Sequence, residues 1–248
     1  MFSQESRCVY ARNPLAEVIC QLRFPEILSI ESQLPAAFQD EIRSVFPKYS
    51  VRRENVSPQQ QTNNYQFATE DGVWRVNMTS KFISLSCVHY TNWETFAAML
   101  DKPLAAFIQI YQPAYFERIG LRYLNFISRR DLDLEDLPYR DLISPQYLSI
   151  LADEDITESG VTRCSVDVDT AMRGGCRAKI HAGPGKVARA GKDDPEIKFI
   201  FDLDLYMMGN VPVNVSAGAL QTLHGQSYGI FRGAITDQLH DAMKPASP

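Results

Sequence analysis

Seven charged residues in the second half of the chain are its best material for chemistry. Asp167 and Asp169 alternate with Val166 and Val168, and Asp202 and Asp204 alternate with Phe201, Leu203 and Leu205. Arg177, Lys179 and His181 recur at the same spacing in the segment between them. Residues two apart share one face of a strand. If the three strands form a meander, a basic row therefore lies between two acidic rows. Such rows can neutralise one another as cross-strand ion pairs, each contributing about 0.2–1 kcal/mol. They can also hold a polar ligand, with carboxylates on Mg²⁺ and bases on phosphate oxygens. Opposite charges on adjacent strands already satisfy one another, which favours the first outcome.

Other candidates are weaker. The segment from Gly183 to Lys192 carries Lys186, Arg189 and Lys192, with Lys198 just beyond. A phosphate loop needs four residues between its glycines and a hydroxyl after its lysine. Here five residues separate Gly185 from Gly191, and Asp193 follows Lys192. The segment reads as a basic hairpin tip that could touch a phosphate backbone or an acidic partner. Gly225-Gln-Ser-Tyr-Gly229 has the spacing of a nucleophile elbow, which requires a strand leading directly into the serine. It falls inside a predicted helix, and Asp237 and His240 follow too closely to converge on Ser227. Small residues easing helix packing are expected instead.

The four histidines (His89, His181, His224 and His240) are scattered, with no metal-ligand spacing and no cysteine pair beside them. No metal or cofactor is expected. Tyr65, Phe67, Trp74 and Tyr90 could stack bases, but aromatic residues are ordinary in strands. Arg122 shares a face with Leu124 and Phe126, so a buried tie to a carboxylate is expected there.

The elements that must position these residues follow from periodicity. Ala16 to Phe24 alternates, with Val18, Cys20, Leu22 and Phe24 on one face, and reads as a strand ended by Pro25. Leu34, Phe38, Ile42 and Val45 predict a helix stopped by Pro47. Ser57 to Asn64 is a polar loop or a broad hairpin tip. Strands are predicted at 64–69, 73–79 and 82–88, the first two joined by Asp71-Gly72. On them Arg75, Asn77 and Thr79, with Ser84 and Ser86, make a hydroxyl- and amide-rich face. Asn92 is a good N-cap for a helix to Tyr111, which Pro103 should break or kink. After a strand at 118–127, a polar connection and a short helix at 145–152, strands are predicted at 161–170, 176–182 and 196–208. A last helix is expected over 216–243, and the opening residues 1–7 are expected to fray.

Both halves thus read strand, helix, three-strand meander, long helix. A slide of 102 residues pairs Ile19 with Leu121, Leu22 with Leu124 and Phe24 with Phe126. The expectation is an α+β fold built from two duplicated units, 10–113 and 114–244, in one two-lobed body. Its sheets are antiparallel with helices packed on one face. Two unrelated small domains are the alternative.

Composition bounds the function classes. The 248 residues are 45% hydrophobic and 22% charged, which excludes a disordered or fibrous chain. A net charge of -5 gives no global field for nucleic acid or acidic lipid. No apolar run approaches the roughly 20 residues of a membrane helix. The start, Met-Phe-Ser-Gln-Glu-Ser, lacks the pattern of a signal peptide. Five widely spaced cysteines without a C-x-x-C pair suggest free thiols in a reducing compartment. A cytoplasmic protein is expected, in which the sequons at Asn77 and Asn214 carry no consequence.

Asn13-Pro-Leu-Ala-Glu-Val and Ile119-Gly-Leu-Arg-Tyr-Leu-Asn125 resemble the marks of a sporadically distributed, uncharacterised prokaryotic family of about this length. The resemblance runs from Tyr10 to the last helix. It implies an accessory protein of antiviral, CRISPR-associated operons and carries over no catalytic residue. The first expectation is accordingly a non-enzymatic adaptor acting through a protein partner. Its contact surfaces would be the Gly183–Lys192 hairpin and an exposed sheet edge. The alternative is a nucleotide- or RNA-binding module at the charged rows, with Arg177, Lys179, His181, Asp202 and Asp204 as ligands. A metal-dependent nuclease using Asp167, Asp169, Asp202 and Asp204 is a third, weaker reading.

Overall fold

A computed structural model describes residues 3–57, 60–189 and 192–246. In chain order its elements are β1 (Val9–Tyr10), β2 (Leu15–Arg23), α1 (Leu28–Ser32), α2 (Ala36–Ile42), β3 (Lys48–Ser57), β4 (Gln60–Ala68), β5 (Trp74–Met78), β6 (Phe82–Cys87) and α3 (Trp93–Tyr111). There follow β7 (Phe116–Ile127), α4 (Tyr139–Leu142), β8 (Val166–Ala171), β9 (Cys176–Arg189), β10 (Lys192–Val211), α5 (Ser216–Ala234), α6 (Asp237–Ala242) and β11 (Pro245–Ala246). The fold is α+β, with antiparallel strand pairs and helices packed against the sheet. Among the described residues no helix is long and apolar enough to cross a membrane.

The chain forms two compact units that no single cut separates. One comprises Glu17–Leu121 and Tyr206–Leu223; the other comprises Met1–Ala16, Arg122–Leu205 and His224–Pro248. Strands β7 and β10 run through both.

In the first unit the strands follow the order β3-β4-β5-β6-β2. Alternation explains the layering. Val18, Cys20 and Leu22 of β2 stand opposite Cys87, Leu85 and Ile83 of β6, and Val76 of β5 also faces Leu85. All are buried, together with Phe67, Met78 and the helix residues Phe38, Phe96 and Phe107. Ring contacts join the layers: Phe38 meets Phe67 at 5.4 Å, Trp74 meets Phe96 at 5.7 Å and Phe24 meets Phe107 at 4.7 Å. The Asp71-Gly72 turn joins β4 to β5 with Gly72 at φ 72, where a Cβ would be strained.

In the second unit the order is β7-β10-β9-β8. Phe199, Phe201, Leu203 and Leu205 point to the buried face of β10. Tyr139 packs on Phe199 and Tyr147 on Phe201, each with ring centroids 5.3 Å apart. In both units the first strand lies beside the last strand of the following meander, β2 beside β6 and β7 beside β10.

Five expectations need correction. The first meander has four strands: 48–57, given no element above, pairs as β3 with β4, and β4 extends back to residue 60 within the stretch expected as a polar loop or broad hairpin tip. Helix α3 begins after Asn92, whose side chain accepts the Thr95 N–H at 2.8 Å, but it runs unbroken through Pro103. Proline costs a helix about 3 kcal/mol; Leu100, Ala106 and Phe107, buried around it, outweigh that loss. The predicted helix at 216–243 is two, since Thr236 caps α6 by accepting from the Leu239 N–H. The segment 145–152 is a pair of 3-10 turns rather than a helix. Of the residues expected to fray, those described, 3–7, are held in place: Ser3 N–H donates to the Gly229 carbonyl at 2.9 Å and Arg232 donates to Glu5 at 2.8 Å, and β1, which follows, pairs with β11 through Val9 and Ala246.

Candidate functional site

The charged rows on the second unit satisfy themselves. Register places Asp167 opposite His181 and Asp169 opposite Lys179. Asp167 Oδ1 lies 2.8 Å from His181 Nδ1, and that contact holds its carboxyl below the ordinary carboxylate range. Arg177 donates to Asp169 at 2.7 Å. Asp202 turns the other way, toward β7: Arg122 Nε donates to its Oδ1 at 2.7 Å and the Arg122 terminal nitrogen to Oδ2 at 2.5 Å. Arg122 is therefore a tie but not a buried one, because Leu124 and Phe126 share the open face and its side chain is 43% exposed. Asp204 is half-buried beside it in sequence, and Lys179 is exposed. The structure thus groups Asp167, Asp169, Arg177, Lys179 and His181, and gives Asp202 to Arg122. Exposed bridges of this kind contribute little and weaken in salt. They also take up charge that a metal or phosphate would need, and no cluster of three metal-ligating residues occurs among the described residues.

The glycine motifs have packing roles. A side chain at Gly183 would meet the Cys164 carbonyl at 2.5 Å, and one at Gly185 would meet Ile200 at 2.6 Å. Both glycines lie within β9, so the segment is mostly strand, with Lys186 exposed on it. The side chains of Arg189 and Lys192, named above as candidates, lie outside the described residues. Ser227 sits inside α5 and donates to the His224 carbonyl at 2.7 Å. A side chain at Gly229 would meet the Ser3 carbonyl at 3.0 Å. Asp237 pairs with Arg232, and His240 Nδ1 meets the Tyr10 hydroxyl at 2.9 Å, so neither reaches Ser227.

A buried histidine escaped sequence reasoning because its partners are far away in the chain. His224 Nε2 receives the Arg7 guanidinium at 2.8 Å, which requires that nitrogen to be unprotonated. Its Nδ1–H then donates to the Tyr123 hydroxyl, 2.8 Å away. Elsewhere in the same unit, Asp194 is held down to about 2, first by Lys198 and also by the Glu196 N–H and Arg130. Ser128 and Arg130 bind Glu196, fixing the turn that follows β7 to β10.

The polar face of the first unit has a different outcome. Asn77 stands opposite Ser84 and Arg75 opposite Ser86, with both serines buried. Thr79 caps the turn between β5 and β6, its hydroxyl accepting from the Lys81 and Phe82 N–H groups. Beyond this turn lies a cavity of about 610 Å³. Glu26 after β2, Glu31 on α1, Glu54 on β3 and Glu117 on β7 contribute carboxylates to its wall, and Arg23 and Lys81 contribute cations. Ser80 Oγ donates to Glu31 Oε1 at 2.7 Å, and the Thr62 hydroxyl donates to the same oxygen. Asn64 donates to Glu54 Oε1 at 2.6 Å. No motif announced this site, since its wall comes from six short segments at element ends.

All five cysteines are free. Burial pushes the Cys20 thiol up to about 12 and raises Cys87 and Cys176 as well. Thiolate is the reactive form. A maleimide is therefore expected to label only Cys8 and Cys164 in the native protein and all five after denaturation, as read by peptide mass spectrometry. Rapid native labelling of Cys20 would contradict its buried placement.

Comparison with known proteins gives no family: no family model matches the chain, and no curated protein matches it. Among solved structures, the di-domain ARO/CYC StfQ from the steffimycin biosynthetic pathway aligns with 87% of this chain and 95% of its own, at 9% identity and a TM-score of 0.19. A likeness that slight carries no argument about fold or function.

Proposed function

We propose that the protein is a non-catalytic adaptor that acts by pairing an extended segment of a protein partner with the β3 edge. In the setting implied by the sequence resemblance, it would serve as an accessory protein of a prokaryotic defence-type operon. One observation carries the reading. Strand β3 is the outer strand of the first unit's order, and residues 48–54 are all exposed, Tyr49 at 43% and Val51 at 49%. An unpaired edge offers backbone donors and acceptors to another strand, and alternate side chains supply selectivity. Tyr49 and Val51 share one face and would seat apolar residues. Arg52 and Arg53 add positive charge to the strand, so the partner segment is extended and acidic with alternating apolar residues.

The test is affinity capture from the native host with the wild-type chain, an Arg52→Glu/Arg53→Glu variant and a Tyr49→Ser/Val51→Ser variant. The exposed arginine substitutions should change stability by only about 0.5 kcal/mol, and because the Tyr49 ring packs on Phe67 at 5.4 Å, the melting temperature of the second variant is measured beside its capture. A protein captured by the wild type should be lost in both variants and should protect the β3 amides from hydrogen exchange. Absence of any specific partner, or equal capture by the variants, overturns the reading.

A further inference from the structure

We infer that a second copy of this chain can fill the β3 edge with its own β8 strand, joining copies head to tail. The inference rests on the β3 edge of the reading above and gives that edge a specific occupant. Strand β8 ends the second unit's order as β3 ends the first unit's, and among the described residues neither has a neighbouring strand on its outer side. Each copy therefore offers one edge of each kind.

The two edges match in both of their side-chain rows. On β3, Tyr49 and Val51 stand opposite the buried Phe67 and Tyr65 of β4, and Lys48, Ser50 and Arg52 belong to the other face. On β8, Val166 and Val168 stand opposite the buried Ala182 and Ile180 of β9, and Asp167 and Asp169 belong to the other face. Each strand thus carries an apolar row and a charged row, basic on β3 and acidic on β8. Laid antiparallel with Tyr49 opposite Val168, the strands bring Val51 opposite Val166, Lys48 opposite Asp169 and Arg52 diagonal to Asp167. Opposed and diagonal neighbours are the side chains that interact across a ladder. A slip of one residue would set Tyr49 against an aspartate, so the alternation also fixes the register.

The acidic row has capacity for this contact. Asp167 and Asp169 keep 64% and 50% of their side-chain surface exposed despite their bonds to His181 and Arg177, and a carboxylate accepts at about four sites. Like edges reject each other: two β3 strands would bring their arginines together, and two β8 strands their aspartates. What remains is the unlike pairing. It is a heterologous contact, so each added copy leaves another edge open until a ring closes. So short a ladder is a small interface, which makes the association weak and dependent on concentration.

Sedimentation velocity of the purified full chain, with no host protein present, tests the inference. The weight-average mass should rise with concentration in low salt and fall back in about 0.5 M salt, where exposed charges are screened. Lys48→Glu/Arg52→Glu and Asp167→Lys/Asp169→Lys should each weaken self-association by about tenfold or more, because each variant carries two edges of one sign. Mixed in equal amounts, the two variants should associate again, the acidic β3 of one meeting the basic β8 of the other. Hydrogen exchange should slow at the β3 and β8 amides together as concentration rises, and with the β3 variant this still decides if the β8 variant melts early. A mass that stays monomeric at every concentration, folded variants that associate like the wild type, a mixture that stays monomeric, or protection confined to other strands overturns the inference. A monomeric chain that still captures a host protein through β3 leaves the adaptor reading standing, and self-association without such capture does the reverse.

Discussion

Replacing Phe107 with alanine is expected to destabilise the protein by about 3–5 kcal/mol, the usual cost of deleting a buried phenylalanine. Phe107 is fully buried on α3, 4.7 Å from the Phe24 ring and 5.4 Å from that of Tyr111. Local preference cannot carry this helix, because Pro103 removes one of its internal hydrogen bonds. Packing must hold it, and Phe107 is the contact by which it grips the end of β2. At roughly 2–4 °C per kcal/mol for a chain of this size, the melting temperature should fall by about 6–20 °C. Urea unfolding measures the same change. A loss below 1 kcal/mol would mean that α3 is held some other way.

Arg232→Met should cost about 2–3 kcal/mol, in the range for charged hydrogen bonds. The Arg232 side chain is 9% exposed and joins three segments. It donates to Glu5 at 2.8 Å, to Asp237 at 2.5 Å and to the Ile235 carbonyl at 3.4 Å. Glu5 and Asp237 are themselves 55% and 87% exposed and regain water when the arginine goes, so the loss stays below that of a fully buried pair. Methionine keeps most of the aliphatic volume, which isolates the charge. Release of residues 3–12 should accompany the loss, seen as faster proteolysis near Arg7 and Arg12. Unchanged cleavage would show that β1 and the Arg7–His224 contact suffice to hold the segment.

The elements legible in the sequence were those whose signals are local. Asn92 announced the start of α3, Asp71-Gly72 the hairpin, and the alternation from Val18 to Leu22 the buried face of β2. Strand β3 was illegible because exposure on both faces removes the alternation that marks a strand. The break between α5 and α6 had a signal in Thr236, which the apolar period running across Ile235 obscured. The charged rows were read correctly as neighbours on β8 and β9, but the partner of Asp202 could not be read, since β10 borders β7 as well as β9. The cavity and the His224 contacts stayed hidden for one reason. Their residues come from distant segments and share no spacing.

The interleaving of the two units has a consequence for how the protein is made. Residues 17–121 emerge from the ribosome early, yet their unit also needs Tyr206–Leu223. Residues 3–12 emerge earlier still, and their partners on α5, β11 and the residues after α6 lie more than 220 positions further along the chain. At about 5–20 residues per second, the opening segment waits on the order of ten to fifty seconds for them. Residues 17–121 can bury β2 against β6 and α3 as soon as they are made, whereas contacts such as Ser3 with Gly229 must wait for the segments that follow β10.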